Sequence, residues 1–355
     1  MRRPDIGTLP GAATLDDESF LDFVEGLRAF NLSRMVPRHA ASADRLAPML
    51  RERDPASTIQ TLFREHAQAP AAQFTRRMMR TLQQMMWRGT VRTYRRVAGE
   101  LEQTLARSSS TAAQRLDIDP AFDYPQYARA QDIHLQPGGF QDEALAGYIY
   151  HYSSKIFFTG DNDDDHIHGV MAQWCPADTP PRVVLDVGCG IGQTTTALKQ
   201  RFPQAQVIGV DMAAPLLRYA HDRALRMGVE VEFRQRSAAA TGLADNSVDL
   251  VLAMILFHEL PGDVAEGVVR EAARVLRPGG TLTIVDFPHI PLDELSGRHT
   301  MRIFDTWFNG EPYAADFVHS DFTALLRRHF TDVNPNYRPA ATSTGPLQIR
   351  VCRKS

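Results

Sequence analysis

The sequence predicts an α/β fold: a doubly wound, mostly parallel sheet preceded by a mainly α-helical region. Three observations predict it. Residues 1–150 carry apolar positions at helical spacing and no clear strand. From Pro181 onward, short runs rich in Val, Ile and Leu alternate with helical segments. The first of those runs ends in glycines at 188, 190 and 192. Alternation of this kind implies parallel strands joined by helical crossovers, with ligands at the carboxyl ends of the strands.

In chain order, residues 16–35 read as a helix, because Phe20, Phe23, Val24, Leu27 and Phe30 recur at helical spacing behind acids in the first turn. Shorter helices are expected over 43–53 and 57–66. Residues 74–105 read as one long amphipathic helix through Phe74, Met78, Leu82, Met85, Tyr94, Val97, Leu101 and Leu105, with Gly89 as its weak point and the serines from Ser108 as a linker. Strands are expected over 182–187, 206–210, 248–254 and 281–286, with helices over 194–202, 215–227 and 264–276 between them. The domain boundary is placed at 150: residues 1–150 as a helical lid or dimerisation domain, and 151–355 as the ligand-binding domain.

Composition narrows the class. The chain has 355 residues, 43% hydrophobic and 23% charged, enough for a sizeable core. A net charge of −3 makes the whole chain no obvious nucleic-acid binder. Cys175, Cys189 and Cys352 match no zinc or redox spacing. Met1-Arg-Arg-Pro-Asp5 is followed by no apolar signal core, and no run of about 18 apolar residues occurs. A cytoplasmic setting is the expectation.

The sequence V-V-L-D-V-G-C-G-I-G-Q spans 183–193. A buried strand runs into Gly188, Gly190 and Gly192, and a helix follows. Glycines let the backbone turn tightly and approach a ligand. A dinucleotide fingerprint is G-x-G-x-x-G, whereas this loop is G-x-G-x-G with Asp186 two residues before it. A carboxylate there would crowd a pyrophosphate and suits a cationic ligand.

The motif resembles motif I of the class I S-adenosylmethionine (SAM)-dependent methyltransferase superfamily, a Rossmann-like fold. Further segments resemble the family's at the expected intervals: 207–211 ending in Asp211, 244–251, 256–260, and 271–286 with its Leu276-Arg-Pro-Gly-Gly turn. The resemblance covers roughly residues 150–355. It implies SAM as cofactor, held by Asp186, Gly188, Cys189, Gly190, Gly192, Asp211, Met212, Ser237, Ala238 and Met254. Asp211 would accept from the ribose hydroxyls. One departure stands out: many members place an acid after the third strand, where this chain has Ser237 and then Ala238.

Methyl transfer is an in-line displacement, so no universal catalytic residue is expected. His258, Asp286 and Tyr152 are the catalytic candidates. Tyr148, Tyr150, Asn162, His166 and His289 are candidates for substrate or lid contacts, and Lys155 accompanies the tyrosines. Glu259 reads as surface or cap. The stretch D-N-D-D-D-H-I-H over 161–168 lacks the glycine and distal glutamate of a calcium loop, so it reads as a helix start, and no metal is expected. Arg76, Arg77, Arg80, Arg88, Arg92, Arg95 and Arg96 form a basic stripe, yet residues 1–150 hold 19 arginines against 18 acids. Pairing inside the molecule or in a homodimer outweighs nucleic acid.

The expected function is methylation of a small molecule. Two other reactions on the same site stay open: cyclisation of SAM to an azetidine amino acid with release of methylthioadenosine, and C-methylation of a prenyl diphosphate. A non-catalytic SAM- or RNA-binding protein is the reading from another class.

Overall fold

The computed structural model describes residues 7–46, 48, 55–130, 132–290, 297–342 and 345–355. The helical region comes first. α1 (Leu15–Phe30) starts at a capping box, in which the Thr14 side chain accepts from the Asp17 amide and the Asp17 carboxylate accepts from the Thr14 amide. A π-helical turn (Asn31–Met35) leads straight into α2 (Val36–Leu46), so the helix predicted to stop at 35 continues. The separate helix expected over 43–53 is the end of α2 up to Leu46, and its remainder lies outside the described residues apart from Pro48. α3 (Pro55–His66) and α4 (Pro70–Arg95) follow, α4 opening on a proline at its first turn.

The long helix expected over 74–105 is two helices. α4 breaks after Arg95 and α5 (Ala98–Ser110) starts behind Val97, whose φ of −116° and ψ of 20° leave the helical region. The break lets Arg96 turn back and donate to the Asp17 carboxylate (2.6 Å) and the Ala12 carbonyl (3.1 Å). Gly89 is a contact point rather than a weak one: α1 packs over it, and a Cβ there would lie 2.6 Å from Leu21 Cδ2.

Part of the arginine stripe is paired within the molecule, although only Arg76 of the seven is buried. Arg92 and Arg96 reach Asp17, Arg95 reaches Glu143 at 2.7 Å, and Arg76 is buried over the Phe63 ring. Burial would raise the Asp17 carboxyl, but Arg96 and Thr14 hold it down to about 2.

The sheet begins earlier than expected. β1 (Leu116–Asp117) adds an edge strand from the helical region. The short α6 (Gln126–Arg129) and then α7 (Ala146–Phe157) and α8 (His166–Trp174) precede β2 (Val183–Val187). Next come α9 (Gln193–Arg201), β3 (Gln206–Asp211), α10 (Ala214–Met227), β4 (Glu232–Gln235), β5 (Val248–Met254), α11 (Gly262–Val275) and β6 (Leu276–Asp286). α12 (Gly297–Phe308), α13 (Ala314–His319), α14 (Phe322–Arg327), β7 (Asp332–Thr342) and β8 (Gly345–Arg353) complete the chain.

The strand order is β1-β4-β3-β2-β5-β6-β8-β7, all strands running the same way except β8, which is antiparallel to both its neighbours. The chain leaves β2 toward β3 on one side and returns to β5 on the other, so the loops after β2 and β5 diverge and leave a crevice. Alternate residues of the central strands fill two cores. Leu185, Val187 and Val251 face one, and Val184, Leu250 and Leu252 face the other. Among the described residues, no helix is long and apolar enough to cross a membrane.

The expected boundary at 150 falls inside α7. Tyr148, Ile149 and Tyr152 of that helix share one buried cluster with Leu82 and Tyr94 of α4 and with Leu216 and Tyr219 of α10. A polar lock reinforces the seam. The Asp165 carboxylate accepts from the buried Arg223 guanidinium of α10, from Gln193 Nε2 of α9 at 2.6 Å and from Thr8 Oγ1 at 3.1 Å. Burial alone would raise Asp165, and His151, Arg223 and Gln193 together hold it far below the usual carboxylate range.

Two stability predictions follow from this seam. A Cβ on Gly147 would overlap Cβ of Tyr219, an atom that no rotamer change can move. Gly147→Ala should therefore lose about 2 kcal/mol in denaturant unfolding, although alanine is the better helix former; a gain in stability would show that α7 does not dock on α10 this closely. Asp165→Asn should cost about 3 kcal/mol, because it leaves Arg223 buried without its counter-charge. An unchanged urea midpoint would remove the lock from the account.

Candidate functional site

The carboxyl ends of β2, β3, β4, β5 and β6 meet around the glycine loop. Gly188, Gly190 and Gly192 all have positive φ, at 69°, 52° and 72°, a backbone that only glycine adopts freely. The loop is sewn to β3: the Val210 carbonyl accepts from the Gly188 and Cys189 amides at 2.8 and 3.0 Å. Cys189 itself faces the core, its Sγ lying beneath Gly209.

Asp211 closes the loop from the other side. Its two carboxylate oxygens accept from the Gly190 amide (2.9 Å) and the Ala213 amide (2.8 Å), and each oxygen keeps further acceptor capacity. Burial raises its pKa, the backbone amides oppose this, and Glu259 adds to it. Asp186 is fully buried at the end of β2, where it accepts from Thr195 Oγ1 at 2.7 Å. Burial, with Asp211 nearby, pushes its pKa up to about 7 despite that hydrogen bond. Two carboxylates thus flank a bare-backbone loop, and a cation bound there would relieve both.

The other residues predicted to bind the cofactor lie at the ends of β3, β4 and β5. Met254 ends β5, with its sulfur 3.7 Å from Thr194 Oγ1. Met212 lies beside Tyr127, and its carbonyl accepts from Gln235 Nε2 at 2.8 Å. Ser237 and Ala238 follow β4, where the Ser237 hydroxyl accepts from the Ala239 amide and shapes the turn.

Opposite the loop stands a buried dyad. His258 Nδ1 is 2.8 Å from Asp286 Oδ1, and Asp286 Oδ2 accepts from the Phe257 amide at 2.8 Å. Asp286 at the end of β6 thereby fixes the 3-10 turn (Phe257–Glu259) after β5. Burial opposes protonation of His258, but Asp286 and Glu259 raise its pKa, and the same pairing lowers that of Asp286 against burial.

Several expectations are corrected. Tyr152 and Tyr148 do not reach the crevice. They stack in the core with Tyr94 and Tyr219, Tyr148 and Tyr219 having ring centroids 4.4 Å apart. Tyr150, on the other face of α7, packs on Phe140, and Asp211 and Glu259 both raise its pKa in addition to burial. Asn162 caps α8 by accepting from the Ile167 amide at 3.1 Å, and Lys155 ties off the carbonyls of Asn162 and Asp163. His166 lines a hollow between α8 and α9 with Gly169, Gln173, Gln193, Thr196 and Gln200. His289 is exposed beyond β6.

The sequence reading missed what the helical region contributes. Tyr124 receives a hydrogen bond from Gln235 Nε2 at 3.2 Å, and Tyr127 sits on Met212, so both stand beside Asp211. His134 reaches in from a 3-10 turn (Ile133–Leu135), with its Nε2 2.8 Å from Glu259 Oε1. Glu259, read as surface or cap, is half-buried in this cluster. Aromatic residues spaced three apart from Tyr124 to Tyr127 are the one signal the sequence offered.

Comparison with known proteins converges on one family. The methyltransferase-domain family profile matches residues 184–280. The demethylmenaquinone methyltransferase of Thermus thermophilus is 36% identical over 111 residues, 31% of this chain and 50% of that protein. The trans-aconitate 2-methyltransferase of Azoarcus sp. is 42% identical over 101 residues, 28% of this chain and 37% of that protein. The malonyl-[acyl-carrier protein] O-methyltransferase of Methylococcus capsulatus is 35% identical over 138 residues, 38% and 47% of the two chains. The chain thus spans half or less of the length of these relatives. Phosphoethanolamine N-methyltransferase 2 of Haemonchus contortus, solved with phosphomonomethylethanolamine and S-adenosylhomocysteine, is 15% identical over 61% of this chain and 60% of its own, with a TM-score of 0.46. The profile match lies on the glycine loop, β3, β4, β5 and the turn into β6, the elements that build the crevice. Residues 184–280 thus match a methyltransferase domain, the part of the chain on which the likeness to SAM-dependent methyltransferases rests.

Proposed function

We propose that this protein binds SAM in the crevice at the glycine loop and transfers its methyl group to a small-molecule nucleophile. The observation that carries the reading is the pair Asp186 and Asp211 flanking a loop of three left-handed glycines. Asp186 is a buried carboxylate with no cation beside it among the described residues, the environment an ammonium group would complete. Asp211 retains acceptor capacity for vicinal hydroxyls. Bound SAM would supply a methyl carbon made electrophilic by its sulfonium.

The chain's own task is alignment and exclusion of water. Tyr150, Tyr124 and Tyr127 wall the crevice near Asp211 with apolar ring surface. His258, Glu259 and His134 form a polar wall beyond the end of β5, where the acceptor's nucleophile would meet them. Residues 113–145 supply half of that wall, which is the sense in which the helical region serves as a lid. The pairing of Arg92 and Arg96 with Asp17 and of Arg95 with Glu143 supports a small acceptor over nucleic acid.

Asp211→Ala should weaken SAM binding by calorimetry at least tenfold, and Gly190→Val should abolish it by straining a left-handed backbone. With wild-type protein, S-adenosylhomocysteine should form only when an acceptor is present. Methylthioadenosine from SAM alone would overturn methyl transfer in favour of cyclisation. SAM affinity should also follow Asp186. Its carboxyl holds a proton up to about pH 7, and binding an ammonium favours the ionised form. Affinity should therefore rise with pH, by up to about tenfold per unit below 7, and level off above it. Asp186→Asn should bind more weakly and flatten the profile, whereas a wild-type affinity independent of pH would separate Asp186 from the ligand.

A further inference from the structure

His134, His258 and Glu259 come from two places in the chain, the 3-10 turn before α7 and the middle and last residues of the turn after β5. Their ligand atoms all lie within 4.8 Å of one another. Glu259 Oε1 is 2.8 Å from His134 Nε2 and 3.8 Å from His258 Nε2. Ligands held at roughly 2.1 Å by one ion lie about 3.0–3.5 Å apart, so the two distances bracket a coordination sphere.

Proximity alone would also describe a histidine–glutamate ion pair. Three further features separate the two. Each imidazole has its other nitrogen against a different carboxylate: His258 Nδ1 is 2.8 Å from Asp286 Oδ1, and His134 Nδ1 is 3.0 Å from Glu311 Oε1. Asp286 is hydrogen-bonded to His258 and fixes its tautomer and orientation, as carboxylates do for metal-bound histidines, whereas Glu311 lies against His134 Nδ1 at ion-pair distance without hydrogen-bond geometry, and both Nε2 atoms are left to ligate. An ion pair with Glu259 needs one such histidine, not two.

The second feature is the backbone of His134. It is held at φ 54°, followed by Leu135 at 62°, both rare for residues with a Cβ. The strain is fixed by two side chains of α4, since Trp87 Nε1 and Gln83 Nε2 donate to the His134 carbonyl at 2.7 and 3.1 Å. Strain held this firmly aims a side chain.

The third feature is an opening. His258 is buried, but His134 and Glu259 are only half-buried, so an ion there would not be sealed in by protein and would keep free positions.

We propose that His134, His258 and Glu259 bind a divalent first-row transition-metal ion as a two-histidine, one-carboxylate set, with open positions facing the methyl acceptor. This ligand set suits Zn2+, Fe2+ and Co2+ better than Mg2+ or Ca2+. The ion's use rests on the methyl-transfer reading, whereas its binding does not. A coordinated acceptor hydroxyl loses its proton to solvent water more readily. Its oxygen then attacks the methyl carbon: the C–O bond forms, the C–S bond breaks, and the bonding pair stays on sulfur as a neutral thioether.

The test uses the full chain, stripped with chelator and titrated with Co2+ and Zn2+. Wild type should take up one equivalent, with visible d–d absorption in the Co2+ form. His134→Ala and Glu259→Gln should lower affinity at least a hundredfold, and Glu311→Gln about tenfold or more. Circular dichroism and SAM affinity, measured alongside, should stay near wild type in Glu311→Gln. Wild-type protein that takes up no stoichiometric metal overturns the proposal, and so does uptake unaffected by His134→Ala and Glu259→Gln. The readouts separate the two readings: a protein that binds Co2+ but not SAM retains the metal site and loses the methyltransferase reading, and the reverse result does the opposite.

Discussion

Arg223 is among the largest fully buried side chains of the molecule, and a guanidinium cannot shed its charge to escape burial. It is tolerable where it sits because Asp165 faces it, with the Gly192 carbonyl and Thr196 Oγ1 taking its other N–H groups at 3.2 and 2.8 Å. The constraint reaches far. Gly192 belongs to the ligand loop, Thr196 to α9, Asp165 to the turn before α8, and Thr8 joins from the far N-terminus. One buried charge therefore fixes the glycine loop, the helix after it, and the contact between the helical region and the sheet. The acidic stretch from Asp161 serves this lock. Asp165 turns inward with φ 58°, Asn162 caps α8, and the carbonyls between them are satisfied by Lys155.

With the loop fixed, the crevice is built from two directions. The sheet brings Asp186, Asp211, Met254, His258 and Asp286 to one level, because parallel strands end together. The helical region supplies Tyr124, Tyr127 and His134 across the gap, and β1 ties that region into the sheet beside β4. The helical part is therefore a wall of the site and shares a core with the α/β part, through Tyr94, Tyr148 and Tyr219.

What was legible in the sequence follows from locality. Buried parallel strands are short apolar runs, and β2, β3 and β5 were found within a residue of their ends. The glycines and Asp186 belong to one contiguous motif. β7 was not legible, because Pro335 and Pro339 break a strand pattern everywhere except at an edge, which is where β7 lies. β8 could have been found, since Leu347, Ile349 and Val351 alternate. The tyrosines of α7 could have been sorted too. Tyr148 and Tyr152 are four apart and share a face, and Tyr150 lies between them on the other. His134 had no local signal: it stands in an aperiodic segment, and its side chain is aimed by Trp87 and Gln83 from 47 and 51 residues away.

The charges lining the crevice explain why its two ends differ. At the glycine loop, Asp186 and Asp211 have backbone amides and a threonine hydroxyl for partners, with no cationic side chain bonded to them among the described residues. Burial works against their ionised forms, so this end gains from a visitor that brings positive charge of its own. At the other end, the carboxylates of Asp286, Glu259 and Glu311 alternate with the imidazoles of His258 and His134. Three carboxylates around two imidazoles remain in excess of negative charge even with both rings protonated. An ion that replaced those protons would carry the same total charge but concentrate it between the two Nε2 atoms and next to Glu259, instead of spreading it over two rings. The acceptor would then meet positive charge at both ends, on the methyl donor and on the ion, and its oxygen is the group whose developing negative charge such an arrangement stabilises.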